Sequence, residues 1–486
     1  MIKNPAKFFA VYLVLTTYSA AALDLEPEKF NLPDIGDSSG TLISPVQEQE
    51  LGEAFFRSLN SQIDVSQDVE IQEYIETIGS KLVANSDSPG NPFHFFVVND
   101  NAINAFAGPG GFIGVNSGLI LTTEAESELA SVMAHEIAHV TQRHLYRAFE
   151  AASRLSIPTA AATLAAILLG TQSPELAQAA IVAVQASSIQ FQIDFTRDNE
   201  MEADRVGMQT LANSKFDPRS MPIFFERLQQ SSRYYGRGIP EFLRTHPVTS
   251  SRISDTRGRA EKYPYQQYPD SLGYLIAQAK LRVSTSHDLS AVQDYFKIRL
   301  NQGTVQQRAI ARYGLGLVYL KQQQFNDAAV LFRQLMTEYP EQTHYVTAMA
   351  KTAQESRDYP AALNLYKKAL FQFPGNTALK LDYISTLLKI GKPDEAREIM
   401  LLLPPKIKQS ALYLKLLAQI YSDLQQPAES HRHLAEYYYK LGQNEAAIIQ
   451  IKLAQKAAGL SQHLSAILDE RLAFFINEER ERKLDR

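Results

Sequence analysis

The chain has 486 residues, of which 45% are hydrophobic and 21% charged; this is too long for one hydrophobic core and too apolar for a disordered chain, so two or more folded units are expected. A formal net charge of -5 leaves no broad basic footprint and argues against nucleic acid as a partner. Cysteine is absent, which excludes disulfides, lipid attached at a Cys and Cys-type structural zinc sites; any metal must be held by His, Asp or Glu.

Residues 1–22 combine Lys3 and Lys7, an apolar run from Phe8 to Leu15 and the small residues Ser19 to Ala22. That order predicts a cleavable secretory signal cut after Ala22, and the run is shorter than the roughly 20 residues needed to span a bilayer. Residues 23–44 are rich in Pro, Asp and Gly and read as an extended leader. A first domain is expected over 45–265. Leu51, Ala54, Phe55 and Leu59, then Ile71, Ile75, Ile78 and Leu82, recur at helical spacing, and the run from Phe93 to Val98 reads as a strand. Asn104, Ala105, Phe106 and Ala107 precede a glycine-broken segment. They predict either an internal strand or an edge strand whose free backbone groups pair with an extended substrate. A long helix is expected from Thr123 to Ala152, with Leu129, Val132, Met133 and Val140 on its apolar face. The Ala- and Leu-rich stretch 157–189 is cut by Pro158, Gly170 and Pro174 into pieces too short to cross a membrane. It predicts a packed helical hairpin, or a cover or membrane-touching element, and a helix follows from Asp198 to Leu211.

After Tyr263-Pro264-Tyr265 the pattern changes to uninterrupted helical pairs, which places a second, all-α domain over 266–486. A period of 34 relates Gly316, Tyr319, Ala328, Phe332 and Pro340 to Ala350, Ala353, Ala362, Tyr366 and Pro374, with Ala396 at the next position. The spacing matches tetratricopeptide repeats, best over 309–340, 343–374, 377–408 and 428–459. Small residues let the paired helices approach while aromatics fill the neighbouring holes, so stacked repeats share one core and leave a concave groove. The fold class expected is mainly α: an α+β zincin-like metallopeptidase domain followed by an all-α tetratricopeptide solenoid.

The chemistry concentrates in His135-Glu136-Ile137-Ala138-His139. Two imidazoles at i and i+4 lie on one helix face about a turn apart and suit two positions of a tetrahedral zinc, with Glu136 beside them as general base. Gln142 and Leu145 stand where metzincins have Gly and His, so that class is excluded. For a third ligand, Asp198-Asn199-Glu200-Met201-Glu202-Ala203-Asp204 is the densest helical acid cluster downstream. Glu200, Asp204 and Gly207 share one face: Glu200 as ligand, Asp204 as the carboxylate that orients a ligand imidazole, and Gly207 as the point of close helix approach. Glu202 reads as surface charge and His144, five residues after His139, as structural. His431 and His433 point to different faces and make a poor metal pair.

HEIAH followed by NEMEAD resembles the M48 family of zinc peptidases. The resemblance supports Glu200 as the zinc ligand, implies one Zn2+ per chain, and offers Asp204 a second role as catalytic proton donor beside the orienting one. His246-Pro247 followed by Arg252 resembles the family's HPxxxxR segment. A Pro-fixed His246 there reaches the zinc or the oxyanion, or is a loop histidine; as a fourth ligand it holds the enzyme latent. Family members that join a secretion signal, this peptidase domain and a repeat half imply work in the periplasm, at or near the outer membrane. They imply assembly and quality control of outer-membrane β-barrel proteins, degradation of stalled or unfolded ones, and contact with the barrel-assembly machinery through the repeat groove. A competing expectation is a proteolytically silent repeat scaffold or chaperone with a structural zinc.

Overall fold

The computed structural model describes residues 44–145, 157–170, 197–234 and 240–484. The expected signal, all but the last residue of the leader and residues 171–189 of the apolar stretch lie outside them. The first domain begins with α1 (Pro45–Asn60), which is started by a capping box between Ser44 and Gln47, and α2 (Val69–Val83), capped by the Asp68 side chain on the amides of Glu70 and Ile71. Three short strands follow: β1 (His94–Val98), β2 (Ala105–Ala107) and β3 (Phe112–Asn116). Their order is β1-β3-β2, with β1 parallel to β3 and β2 antiparallel to it, Phe106 opposite Gly114. Among the described residues β2 therefore pairs on one side only.

The sheet is covered on both faces, which is why HFFVV shows no polar alternation. Successive side chains point to opposite faces. Phe95 and Val97 join Ile75, Ile78, Leu82, Leu129 and Met133 in one core, while Phe96 and Val98 join Phe55, Leu59, Phe106 and Phe112 in another. The second core is closed by α5 (Ile157–Gly170) through Ala161, Leu164 and Ala165, so this half of the 157–189 stretch is a packed helix. No described helix is long and apolar enough to cross a membrane.

After α3 (Ser117–Thr122) comes the HEIAH helix α4 (Glu126–Thr141). It is 11 residues shorter at its C-terminal end than the expected Ala152. Arg143 adopts a left-handed conformation (φ 54°), which breaks the helix although no Pro or Gly stands there. The NEMEAD helix α6 (Arg197–Asn213) packs along α4. At the crossing, a Cβ added to Gly207 would stand 3.0 Å from the backbone of Ala134 and His135, the close approach that the sequence suggested. The domain is completed by α7 (Ser220–Tyr234), α8 (Glu241–Thr245) and α9 (Ser250–Ala260).

The second half is helical pairs from α10 (Leu272–Thr285) to a long last helix, Gln462–Leu484. The four expected repeats fall on the pairs that start at Val305, Thr343, Thr377 and Pro427. Ala328, Ala362, Ala396 and Ala447 are all fully buried at the crossings, with Phe332, Tyr366 and Ile451 beside them. Helix α10 joins the two halves: it gives Tyr274, Ala277 and Leu281 to the peptidase core and Ile276, Ala279 and Val283 to the first repeat core. The groove is not open throughout. The acidic start of α2 enters it, where Lys280 bonds Asp68 and Glu70 at 2.6 Å each and His344 Nδ1 stands 2.8 Å from Glu70. Further out Lys406 pairs with Glu76, and Arg57 of α1 pairs with Glu478.

Candidate active site

His135 and His139 project from one face of α4 and meet Glu200 from α6 and His246 from the loop after α8, all of them buried. One donor atom from each of the four lies within 4.8 Å of every other. The two Nε2 atoms are 3.0 Å apart. Glu200 oxygens stand 3.5 Å from His135 Nε2 and 3.4 Å from His139 Nε2, and His246 Nδ1 is 3.4 Å from His135 Nε2 and 2.9 Å from Glu200 Oε1. Donors around a four-coordinate ion with bonds of about 2.0–2.2 Å are separated by roughly 3.3–3.6 Å, so the set has the size and chemistry for one divalent metal. Two imidazole nitrogens facing each other at this distance need a cation or a proton between them.

The electrostatics agree. Burial works against a charge on His135, but Asp204 and Glu200 beside it prevail and raise its pKa to about 9. Burial, aided by the neighbouring His135 and His246, holds His139 neutral, well below the usual histidine value. Glu200 is buried too, yet His246, His135 and His139 hold its carboxyl well below the usual range. Glu136 differs. It is fully buried beside the donor set, its Oε1 3.5 Å from His246 Nε2. Burial raises its pKa, with His246 and His135 pulling the other way. A carboxylate that joins no ligand set but stands next to one is placed for proton transfer.

Residues 70–260 match the profile of Peptidase family M48, and residues 353–420 that of a Tetratricopeptide repeat. A relative from Vibrio cholerae is 41% identical over 374 residues, 77% of each chain. Two others are named beta-barrel assembly-enhancing protease: one from Yersinia pestis, 35% identical over 77% of each chain, and one from Escherichia coli, 33% identical over 91% of this chain and 90% of its own. The chain belongs to peptidase family M48.

As an M48 metallopeptidase the chain surrounds its donor set with residues that fix it. Asp204 lies 2.9 Å from His135 Nδ1 and takes two bonds from Arg252, Nε to Oδ2 at 2.7 Å and Nη2 to Oδ1 at 2.8 Å. Burial opposes its charge, but Arg252 and His135 keep its carboxyl below the usual range. Its bonds to His135 and Arg252 have the geometry of a carboxylate that orients a ligand imidazole, one of the two roles expected of Asp204. Arg252 is buried, reaches Glu200 at 2.6 Å and donates to the Pro247 carbonyl at 2.9 Å. The spacing of the HPxxxxR segment thus follows from one guanidinium that ties the His246 loop to both acids of α6. Asn104, just before β2, and Ala105 and Phe106 on it are buried, and β2 packs against α4.

Two expectations need correction. His144 does not stand apart from the site: its Nδ1 is 2.8 Å from His139 Nδ1. Glu202 is not merely surface charge, because its Oε2 lies 3.1 Å from His144 Nε2. The first error comes from extending α4 as a straight helix, which carries His144 away from His139; the second from placing Glu202 off the face that Glu200 and Asp204 share, with no partner in view there. The turn at Arg143 folds His144 back. No sequence signal marks that turn, since Arg is an ordinary helix former. His433 lies beside Tyr421 in a ring stack and His431 against Gln450, so neither faces the metal site.

Proposed function

We propose that the chain is a zinc-dependent endopeptidase of the periplasm that cleaves outer-membrane β-barrel proteins whose assembly has stalled. The observation that carries the chemistry is the convergence of His135, His139 and Glu200 on one point with Glu136 left free beside it. The relatives named beta-barrel assembly-enhancing protease carry the substrate class, and the secretory-signal pattern of residues 1–22 carries the compartment.

Zinc held by these three side chains would supply a Lewis acid that polarises the scissile carbonyl and acidifies the attacking water. Glu136 takes the proton from that water and passes it to the leaving amine; its raised pKa suits both steps. Asp204, clamped by Arg252, holds the His135 ring with Nε2 inward. The side of β2 that meets no strand among the described residues, with Asn104 just before it and Ala105 and Phe106 on it, would offer backbone groups to an extended substrate strand, a form that unfolded barrel proteins readily present. The repeat half supplies contact with the barrel-assembly machinery.

His246 fills the fourth position of the donor set and faces Glu136, which supports a latent state in which it excludes water. Replacing it with Ala is expected to raise proteolysis; unchanged or lower cleavage means that His246 does not restrain the enzyme. The central test is Glu136→Gln in the full chain, offered an unfolded outer-membrane β-barrel protein. The variant should retain zinc and partner binding but lose cleavage by about 100-fold or more. Wild-type turnover in this variant means that the cleavage does not run through Glu136 and defeats this enzymatic reading, whereas no cleavage by either protein leaves a silent repeat scaffold.

A further inference from the structure

The M48 site accounts for the partner of one ligand imidazole but not of the other. His135 has Nε2 in the donor set and Nδ1 on Asp204. His139 has the same inward Nε2, and its Nδ1 meets a second imidazole, His144, whose far nitrogen meets Glu202. We propose that His144 and Glu202 are positioning residues for His139, a two-step relay that fixes its tautomer and ring angle for the metal; the inference rests on the metallopeptidase reading above.

The proton inventory supports this. To ligate through Nε2, neutral His139 must carry its hydrogen on Nδ1. That hydrogen points at His144 Nδ1 across 2.8 Å, so His144 Nδ1 must be bare and its own hydrogen must sit on Nε2. There it faces the Glu202 carboxylate at 3.1 Å, a pure acceptor. The Glu202 carboxylate therefore favours, in both rings, the tautomer that ligation through His139 Nε2 requires. Were Glu202 absent, His144 could carry its hydrogen on Nδ1 instead, and two N–H groups would oppose each other between the rings.

The placement is specific. His144 is fully buried, and its ring stands at 74° to that of His139 with centroids 4.9 Å apart, edge to edge through the two Nδ1 atoms. It reaches this position because the left-handed Arg143 reverses the chain, with the Gln142 and Arg143 amides donating to the Ala138 and Val140 carbonyls. Glu202 comes from α6, two residues after the ligand Glu200. Helix α6 thus serves both imidazoles: Asp204 holds one directly and Glu202 the other through His144. The side chain of Glu202 is 30% exposed and Arg205 stands 4.0 Å from its other oxygen.

The test is zinc affinity of the full chain, measured by competition with a chromophoric chelator, together with the visible spectrum of the cobalt(II)-substituted protein. Three variants separate orientation from packing. His144→Leu keeps much of the volume and removes the acceptor. His144→Asn places a carbonyl oxygen where Nδ1 was. Glu202→Ala removes the far end of the relay. Loss of such an outer partner lowers metal affinity about 10–100-fold. His144→Leu should fall in that range with an altered cobalt spectrum, Glu202→Ala should shift in the same direction, and His144→Asn should recover to within about threefold of wild type. The double variant His144→Leu/Glu202→Ala should bind no more weakly than His144→Leu, because the two act in series. Wild-type affinity in His144→Leu overturns the proposal, as does an Asn variant as weak as the Leu one. If His144→Leu does not fold, Glu202→Ala decides alone, and unchanged zinc affinity there overturns the relay. A wild-type chain that retains no zinc removes the metallopeptidase reading itself, and the relay with it.

Discussion

Gly207 sets the distance between the two helices that build the metal site, and Gly207→Ala tests that directly. The added methyl would meet Ala134 C, Ala134 O and His135 N at 3.0 Å, against about 3.4 Å for ordinary contact. All three neighbours are main-chain atoms of α4, so they cannot move aside singly and the helices must part by about 0.4 Å. Overpacking of this kind costs about 1–3 kcal/mol. The better helix propensity of Ala returns about 0.5–1 kcal/mol, leaving a net loss of about 1 kcal/mol. Gly258 is the control, since it too is helical and a Cβ there meets nothing within 4 Å; Gly258→Ala should gain about 0.5–1 kcal/mol. The parting also carries Glu200 from His135 and His139, at the tolerance of about 0.5 Å within which such sites work, so zinc affinity should fall about tenfold. Thermal unfolding with excess chelator and chelator competition for zinc read the two effects apart. A Gly207→Ala protein as stable as Gly258→Ala and as tight for zinc as wild type refutes the claim that this contact fixes the site.

Three further outcomes follow from the same structure. Glu200→Gln should lose most of its zinc in a stoichiometry measurement while the wild type holds one per chain; a fully loaded variant moves the third ligand elsewhere. In the metal-free protein His135, with its pKa raised to about 9, is protonated at pH 7 and must shed that proton to ligate. Zinc affinity should therefore climb about tenfold per pH unit below pH 9 and flatten above it, with about one proton released per zinc in calorimetry across buffers; a pH-independent affinity contradicts this. Lys280→Ala leaves the buried Glu70 carboxylate, now held down chiefly by Lys280 and His344 against its burial, without its main cation. Breaking such a pair costs about 3–5 kcal/mol, nearer the low end with His344 retained. Denaturant unfolding reads it, and a loss below about 1 kcal/mol means the contact between α2 and the repeats is not a structural clamp.

Much of the site was legible because its residues sit at helical spacings. HEIAH places two imidazoles one turn apart whatever they pack against, and Glu200, Asp204 and Gly207 are held on one face by the same geometry. The repeat half was legible for a related reason: each unit meets its neighbours through the same small and aromatic positions, so the period of 34 appears in the chain itself. The ranges 309–340, 343–374, 377–408 and 428–459 fall on helical pairs. What failed was anything that depended on where a helix stops. A straight continuation past Thr141 left His144 off the ligand face, whereas one left-handed residue, Arg143, brings it to His139 and within reach of Glu202.

Local periodicity, then, picked out the candidate ligand residues and the HEIAH helix, because residues four apart share a helix face, and the period of 34 picked out the stacking of repeats. Contacts between distant segments were decided only by the folded chain: Arg252 tying Asp204, Glu200 and the His246 loop together, helix α10 serving two cores at once, and Lys280 taking the acidic end of α2 into the repeat groove. Apart from the Pro247 carbonyl, five residues from Arg252, the partners lie tens to hundreds of residues apart, and burial makes each charge seek an opposite one without recording in the local sequence which one it finds.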